Sequence, residues 1–223
     1  MLLAFDVGYK ATGWCWTSGE VVKPDLGSTS QFAPMLVAYG GVIVPTDGLS
    51  PKALREKRAC EREAIQDRNL FRGIERVVDD VFKLASPYND PFRVVAEVPA
   101  LGSISAASAR QMAASLACFE CGCSSRFEVE RYLRSDVVAA MFGKRRPKGD
   151  IKDVTRKVVQ QRIALDLKDV PENLREHAYD AAACLFAARD APSVRSQRWS
   201  EEAMNCLRMA REAGLSRSEM VGK

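Results

Sequence analysis

Two acidic side chains interrupt runs of apolar residues that have the pattern of buried β-strands. Asp6 follows the apolar residues 2–5, and Glu97 follows residues 94–96. A buried carboxylate is unfavourable unless it is ion-paired, hydrogen-bonded or bound to a metal ion. On adjacent parallel strands the two acids would lie side by side, and a divalent cation would relieve their repulsion. The alternative for Asp6 is a carboxylate that caps its own turn.

A third acidic side chain lies three residues after the single histidine of the chain. His177 and Asp180 belong to an alanine-rich segment that predicts a helix over about 174–189, and residues three apart share a helix face. Together with Asp6 and Glu97 they form a donor set of three carboxylates and one imidazole. Such a set suits Mg²⁺ or Mn²⁺ better than zinc. The alternative for His177 is a histidine near a helix start with no partner.

Strands and helices alternate along the chain and must bring these residues together. Strands are predicted at about 2–7, 12–18, 38–44, 92–98 and 126–133. Helices are predicted from Pro51, with Ser50 as its N-cap, through the apolar stripe that ends at 84, and at about 103–120, 135–142, 152–167 and 174–189. One apolar stripe marks the face of the first helix that packs on the sheet: Leu70, Ile74, Val77, Val81 and Leu84. The order predicts an α/β domain over residues 1–190 with a mixed five-stranded sheet flanked by helices. An extension over residues 191–223 carries one more amphipathic helix.

The distribution of charge and the cysteine content indicate which class of partner the protein binds and in which cellular compartment it lies. The net charge is only +4, but residues 131–162 hold ten Lys or Arg against three Asp or Glu, a local charge of +7. A basic block of this kind predicts a polyanionic partner. Seven cysteines without the spacing of a disulfide framework predict reduced thiols in a cytoplasm-like compartment. No apolar run approaches the roughly 20 residues of a membrane helix, so no membrane partner is expected.

The motifs together resemble the RuvC family of Holliday-junction resolvases, within the RNase H-like nuclease superfamily. The segment 6–13, Asp-Val-Gly followed by Thr-Gly, is similar to the family's first-strand D-P-G…T-G motif, with valine for proline. Glu97 matches the family's strand-end glutamate, which an Ala/Ser-rich helix follows. The segment 177–181, His-Ala-Tyr-Asp-Ala, resembles the motif of the terminal helix, and residues 135–159 resemble the family's short helix, basic loop and Lys-bearing helix. The resemblance extends from residue 1 to about 188.

The resemblance implies an RNase H-like fold and a metal-dependent endonuclease that acts as a homodimer on four-way DNA, leaving nicks with 5′-phosphate and 3′-hydroxyl ends. It implies that Asp6, Glu97, His177 and Asp180 are the catalytic residues and hold one or two Mg²⁺ ions, for which Mn²⁺ substitutes. Asp6 is expected to bridge the ions, and His177 either binds metal or orients the water. Contacts to DNA phosphates are expected from eight basic side chains: Lys10, Lys144, Arg145, Arg146, Lys148, Lys152, Arg156 and Lys157.

Some features depart from the family pattern and leave alternatives open. Family members often carry an aromatic wedge shortly after the glutamate, whereas this chain has Leu101 in that region. The segment 45–69 is longer than typical, and the extension after Pro192 is additional. The alternatives are a related nuclease for flaps, other branched DNA or RNA–DNA hybrids, and a non-catalytic junction-binding protein. An actin-like kinase or ATPase is disfavoured, because the chain has no second phosphate hairpin.

Overall fold

A computed structural model of the protein describes residues 1–19, 21–22, 35–46, 49–85, 92–98, 105–123, 127, 129–143, 147 and 149–190. Seven strands in this part of the chain form one sheet: β1 (Leu2–Asp6), β2 (Thr12–Thr17), β3 (Val21–Val22), β4 (Met35–Ile43), β5 (Arg93–Val98), β6 (Val129–Leu133) and β7 (Ile163–Asp166). The described helices are α1 (Pro51–Arg55), α2 (Ala59–Ala85), α3 (Ala106–Cys123), α4 (Arg134–Phe142), α5 (Ile151–Arg162) and α6 (Arg175–Asp190), the last preceded by a 3₁₀ turn at Glu172–Leu174. The predicted α/β class with a mixed sheet is confirmed.

The centre of the sheet is β1, and its neighbours determine where its last residue lies. The strands follow the order β3-β4-β2-β1-β5-β6, and β7 pairs with β4. β1 is antiparallel to β2 and parallel to β5, while β5 is parallel to β6. This register places Asp6 opposite Glu97 on one side and opposite Gly13 on the other. The predicted side-by-side arrangement of the two acids is therefore confirmed.

Helices cover both faces of the sheet and give a three-layer structure. Because successive side chains of a strand alternate between faces, Leu3 and Phe5 of β1 pack with residues of α2 and α3, whereas Ala4 packs with residues of α4, α5 and α6. Phe5 meets Phe119 of α3 edge to face, with ring centroids 5.1 Å apart. Asp6 has the parity of Ala4, and it therefore belongs to the face that α6 covers.

Two details of the predicted elements were wrong. The helix expected over 152–167 ends at Arg162, because the next four residues pair in parallel with β4 and bury Ile163. This strand and the two-residue β3 raise the number of strands from the predicted five to seven. On α2 the buried stripe passes through Val78 rather than Val77, and Leu84 is 51% exposed, so the sheet-facing stripe ends one turn before the helix does.

The start of α4 also lies one residue earlier than predicted. Leu133 keeps an extended backbone as the capping residue, and its N–H donates to the Asp136 carboxylate at 3.1 Å. Arg134 therefore becomes the first helical residue, directly after β6. The wedge position Leu101 and the helical extension predicted over 191–223 lie outside the described residues, and the extension stays a prediction.

Helix α6 lies unusually close to β2 because small residues line the contact. Ala178, Ala181 and Ala182 are fully buried, and the Cys184 thiol donates to the carbonyl of Phe5 at 3.7 Å. A Cβ atom at Gly13 would overlap the backbone carbonyl of His177. Glycine at this position therefore allows the first turns of α6 to approach the end of β1.

We expect Gly13→Ala to destabilise the protein by about 1–3 kcal/mol, because the added methyl group meets backbone rather than a movable side chain. Gly40→Ala is the control, since a Cβ atom there would meet the ends of two leucine side chains at 3.1 Å and the Trp14 carbonyl at 3.2 Å, contacts that small shifts relieve. Urea unfolding of both variants, followed by circular dichroism, measures the effect. An unfolding midpoint for Gly13→Ala equal to that of the wild type would contradict the close approach of α6.

Candidate functional site

The four side chains proposed as metal ligands come together at one end of the sheet. Asp6 is the last residue of β1, and Glu97 lies directly across from it on β5. His177 and Asp180 occupy the first two turns of α6, the helix that packs over this end of β1 and β2. The side chains of Asp6 and His177 are 20% and 26% exposed, and those of Glu97 and Asp180 are 10% and 13% exposed. The cluster is thus sheltered, but solvent reaches each of its side chains.

Asp6 and His177 form a pair. Nδ1 of His177 lies 3.5 Å from Oδ2 of Asp6. The hydrogen bond that the imidazole donates to the Asp6 carboxylate raises the pKa of His177, although burial of the imidazole opposes the shift. The alternative of a histidine without a partner is therefore excluded, and Asp6 does more than cap its own turn. The hairpin after it is held instead by Thr12, whose hydroxyl donates to the carbonyl of Gly8 at 3.1 Å.

Arg134 belongs to the same cluster and was missed by sequence reasoning. Its Nη1 atom lies 3.3 and 3.1 Å from Oε1 and Oε2 of Glu97 and 3.0 Å from Oδ1 of Asp180. The residue reaches this place because β6 lies parallel to β5, so that the first turn of α4 begins beside the end of the strand that carries Glu97. The available signal was a basic residue immediately after a predicted strand.

The electrostatics of the cluster show that negative charge is in excess. Burial raises the pKa of Glu97 to about 8, and the neighbouring carboxylates of Asp6 and Asp180 add to the shift, while Arg134 opposes it. The pKa of Asp180 is raised as well, first by burial and then by Asp6. Arg134 therefore neutralises the two most buried acids only in part. Such a cluster would gain from a further positive charge.

The donor types and the excess negative charge fit a hard divalent cation such as Mg²⁺, but the present side-chain arrangement is not that of a finished site. Within the described parts of the chain, no three His, Cys, Asp or Glu side chains gather closely enough to hold a metal ion. The reason lies in the pairing: Glu97 and Asp180 bind Arg134, whereas Asp6 binds His177. These side chains could hold a metal ion only if they exchanged these partners for it.

The basic side chains predicted to contact phosphates lie on several elements. Lys152, Arg156 and Lys157 are exposed on α5, which packs beside α6. The Arg156 guanidinium lies 5.2 Å from the ring centroid of Tyr179, and Lys152 Nζ lies 3.9 Å from a carboxylate oxygen of Glu176. The basic face of α5 therefore borders the helix that carries the cluster.

The other predicted phosphate contacts are separate from this face or lie outside the described residues. Lys10 is exposed in the turn between β1 and β2, with its Nζ atom 5.7 Å from the ring centroid of Tyr9. Four residues of the basic loop lie outside the described residues: Lys144, Arg145, Arg146 and Lys148. Among the helices that the structure describes, none is long and apolar enough to cross a membrane.

Comparison with known proteins connects this fold to solved structures, while neither protein-family models nor curated protein sequences match the chain. The structure of Thermus thermophilus RuvC is similar with a TM-score of 0.53 and 16% sequence identity, over 84% of this chain and 95% of that one. T. thermophilus RuvC in complex with a Holliday junction substrate gives a TM-score of 0.51 and 16% identity, over 83% and 90% of the respective chains. The chain therefore has a RuvC-like fold of the RNase H-like type, as its motifs predicted.

Proposed function

We propose that this protein is a structure-selective DNA endonuclease that resolves four-way junctions by metal-dependent hydrolysis of phosphodiester bonds. The observation that carries the proposal is the convergence of Asp6, Glu97, His177 and Asp180 at one end of a RuvC-like sheet. Three buried or half-buried carboxylates and one imidazole in a sheltered but open cluster suit the binding of Mg²⁺, or of Mn²⁺ in its place.

The residues of the cluster have different proposed roles in the reaction. Asp6 ends the central strand, which pairs with a strand on each side, and it would be the acid shared between two cations if two bind. Glu97 and Asp180 supply the remaining carboxylates, and His177 either binds metal or holds the attacking water. When bound, the ion supplies a more acidic water and stabilises charge on the leaving 3′-oxygen. The resulting nick carries a 5′-phosphate and a 3′-hydroxyl.

Branched DNA is the proposed substrate, and two copies of the chain form the working unit. A similar protein, T. thermophilus RuvC, has been solved with a Holliday junction substrate. A four-way junction has two equivalent strands to cut, so a homodimer with one site in each copy matches it. The described cysteines carry free thiols, which favours a cytoplasmic location.

The direct test of the activity is the cleavage of a mobile four-way junction, a flap and an RNA–DNA hybrid with Mg²⁺ or Mn²⁺. We expect paired nicks in the junction, and we expect Asp6→Asn to slow them on the order of 100-fold or more, because an amide replaces a charged ligand. The junction should still bind to this variant in a gel-shift assay. Asp80→Asn, which changes an exposed acid paired with Lys83 on α2, is the control and should cut normally.

Three results would contradict the assignment. Nicking by Asp6→Asn at the wild-type rate would exclude the proposed cluster as the active site. Preferential cleavage of the flap or the hybrid would favour a related nuclease with another substrate. A protein that binds the junction but remains inert with both ions would be a non-catalytic junction-binding protein.

The exposed basic face of α5 is the proposed backbone contact nearest to the cluster, with the basic loop and Lys10 adding further contacts. Each phosphate contact adds about one unit to the slope of log affinity against log salt concentration. We therefore expect the triple variant Lys152→Ala, Arg156→Ala, Lys157→Ala to lower the slope of junction binding by about two to three. Fluorescence anisotropy at several salt concentrations measures it.

A matched control for this surface is available on the opposite side of the sheet. Arg68, Arg72 and Arg76 are exposed at intervals of four residues on α2, so their replacement by alanine removes the same charge from another face. This control should lower the affinity slightly and leave the slope unchanged. Equal slopes for both triple variants would mean that α5 is only a solvated charged surface.

A further inference from the structure

Arg134 is a cation built into the acidic cluster, and nothing in the proposed cleavage reaction requires it. One guanidinium nitrogen, Nη1, donates hydrogen bonds to two carboxylates at once, those of Glu97 and Asp180, at 3.0 to 3.3 Å. Building on the metal-dependent function proposed above, we propose that Arg134 is a resident cation that occupies the metal-binding carboxylates of the metal-free protein and that a divalent ion must displace.

Nη1 of Arg134 lies between the carboxylates of Glu97 and Asp180. It lies within hydrogen-bond distance of both carboxylate oxygens of Glu97, so it occupies the direction in which that carboxylate would hold an ion with both oxygens. It also contacts Oδ1 of Asp180, the second acid expected to turn toward a metal. A divalent ion bound by Glu97 and Asp180 would therefore meet the guanidinium as a like charge at short range, and the two cations exclude each other.

The burial of the acids makes a cation beside them necessary. Glu97 and Asp180 are the least exposed carboxylates of the cluster, and they lie beside a third acid, Asp6. Without a cation, three such groups would repel one another and lose hydration. Arg134 keeps two of them paired before any metal arrives. The metal-free fold is thereby stabilised by the same bonds that the metal must break.

The cation in the cluster is an arginine rather than a lysine. A guanidinium remains charged at every pH that proteins meet, so this cation cannot leave the site by losing a proton, as a buried lysine can. The side chain is 31% exposed and starts at the first residue of α4. It can therefore rotate outward into solvent while its backbone stays in place. Metal binding and the Arg134 ion pairs are then two alternative states of one set of carboxylates.

If Arg134 has a different role, its removal changes the metal affinity in the opposite direction. If Arg134 were only a positioning residue that orients Glu97 and Asp180 for the metal, its removal would weaken metal binding. If Arg134 competes with the metal, its removal strengthens binding and lowers the stability of the metal-free protein. The sign of the change in metal affinity thus decides between the two roles without reference to cleavage.

The test is a calorimetric titration of the metal-free full-length chain with Mn²⁺. We expect Arg134→Gln to bind Mn²⁺ about tenfold more tightly than the wild type, or more. Arg134→Lys, which keeps a charge on a different head group, should lie between them. The control is Arg110→Gln, which breaks an exposed ion pair with Glu63 and should not change the affinity. Unchanged or weaker binding by Arg134→Gln would overturn the proposal.

A measurement on the wild type does not depend on the folding of a variant. In ¹⁵N spectra of arginine side chains, the ion-paired Arg134 guanidinium should give restrained Nη–H signals without metal, assigned by their loss in Arg134→Lys. Saturating Mg²⁺ should convert them to the averaged signals of a mobile side chain. Persistence of the restrained signals in the Mg²⁺-bound protein would also overturn the displacement.

The outcomes separate this inference from the proposed function. Wild-type Mn²⁺ binding that Asp6→Asn abolishes, combined with no gain in Arg134→Gln, would refute the role of Arg134 and leave the metal-dependent nuclease intact. Absence of Mn²⁺ binding in the wild type and in Arg134→Gln would refute the metal dependence of the proposed function. It would also refute the displacement of Arg134 by a metal ion.

Discussion

The central constraint on the structure is that three partly buried carboxylates lie close together. Asp6 and Glu97 are neighbours in a parallel strand pair, and Asp180 reaches them from a helix on the same face of the sheet. Burial and mutual repulsion raise the pKa of Glu97 and of Asp180, so the arrangement is unfavourable without cations. Arg134 and His177 offset part of this repulsion. A fold that maintains such a cluster indicates that the cluster serves a purpose other than stability.

The backbone around the cluster is built for rigidity and close approach. β1 lies inside the sheet with partners on both sides, and its apolar residues are fully buried. The alanines of α6 and the absent side chain at Gly13 bring the helix axis close enough for His177 and Asp180 to join the strand-borne acids. Precise placement of charged groups by packed secondary structure is what electrostatic catalysis requires. The local sequence of α6 therefore serves the site as much as the core.

Sequence reasoning succeeded where one residue and its apolar context carried the information. Asp6 and Glu97 could be predicted because each ends or interrupts an apolar strand. His177 and Asp180 could be assigned to one helix face because they lie three residues apart. It failed where the outcome depended on tertiary pairing. The strand Ile163–Asp166 forms because β4 offers an edge to pair with, and the preceding helical pattern gives no sign of that edge. Arg134 was missed for the same reason, since only the β5–β6 pairing brings it to Glu97.

The central claim is that this cluster accepts a divalent metal ion in place of its internal cation. Anomalous diffraction from a crystal soaked in Mn²⁺ tests it most directly. We expect an anomalous peak bonded to oxygens of Asp6, Glu97 and Asp180, with the Arg134 guanidinium turned away from Glu97. A crystal at saturating Mn²⁺ with no peak there, and with Arg134 still bound to Glu97 and Asp180, would contradict it.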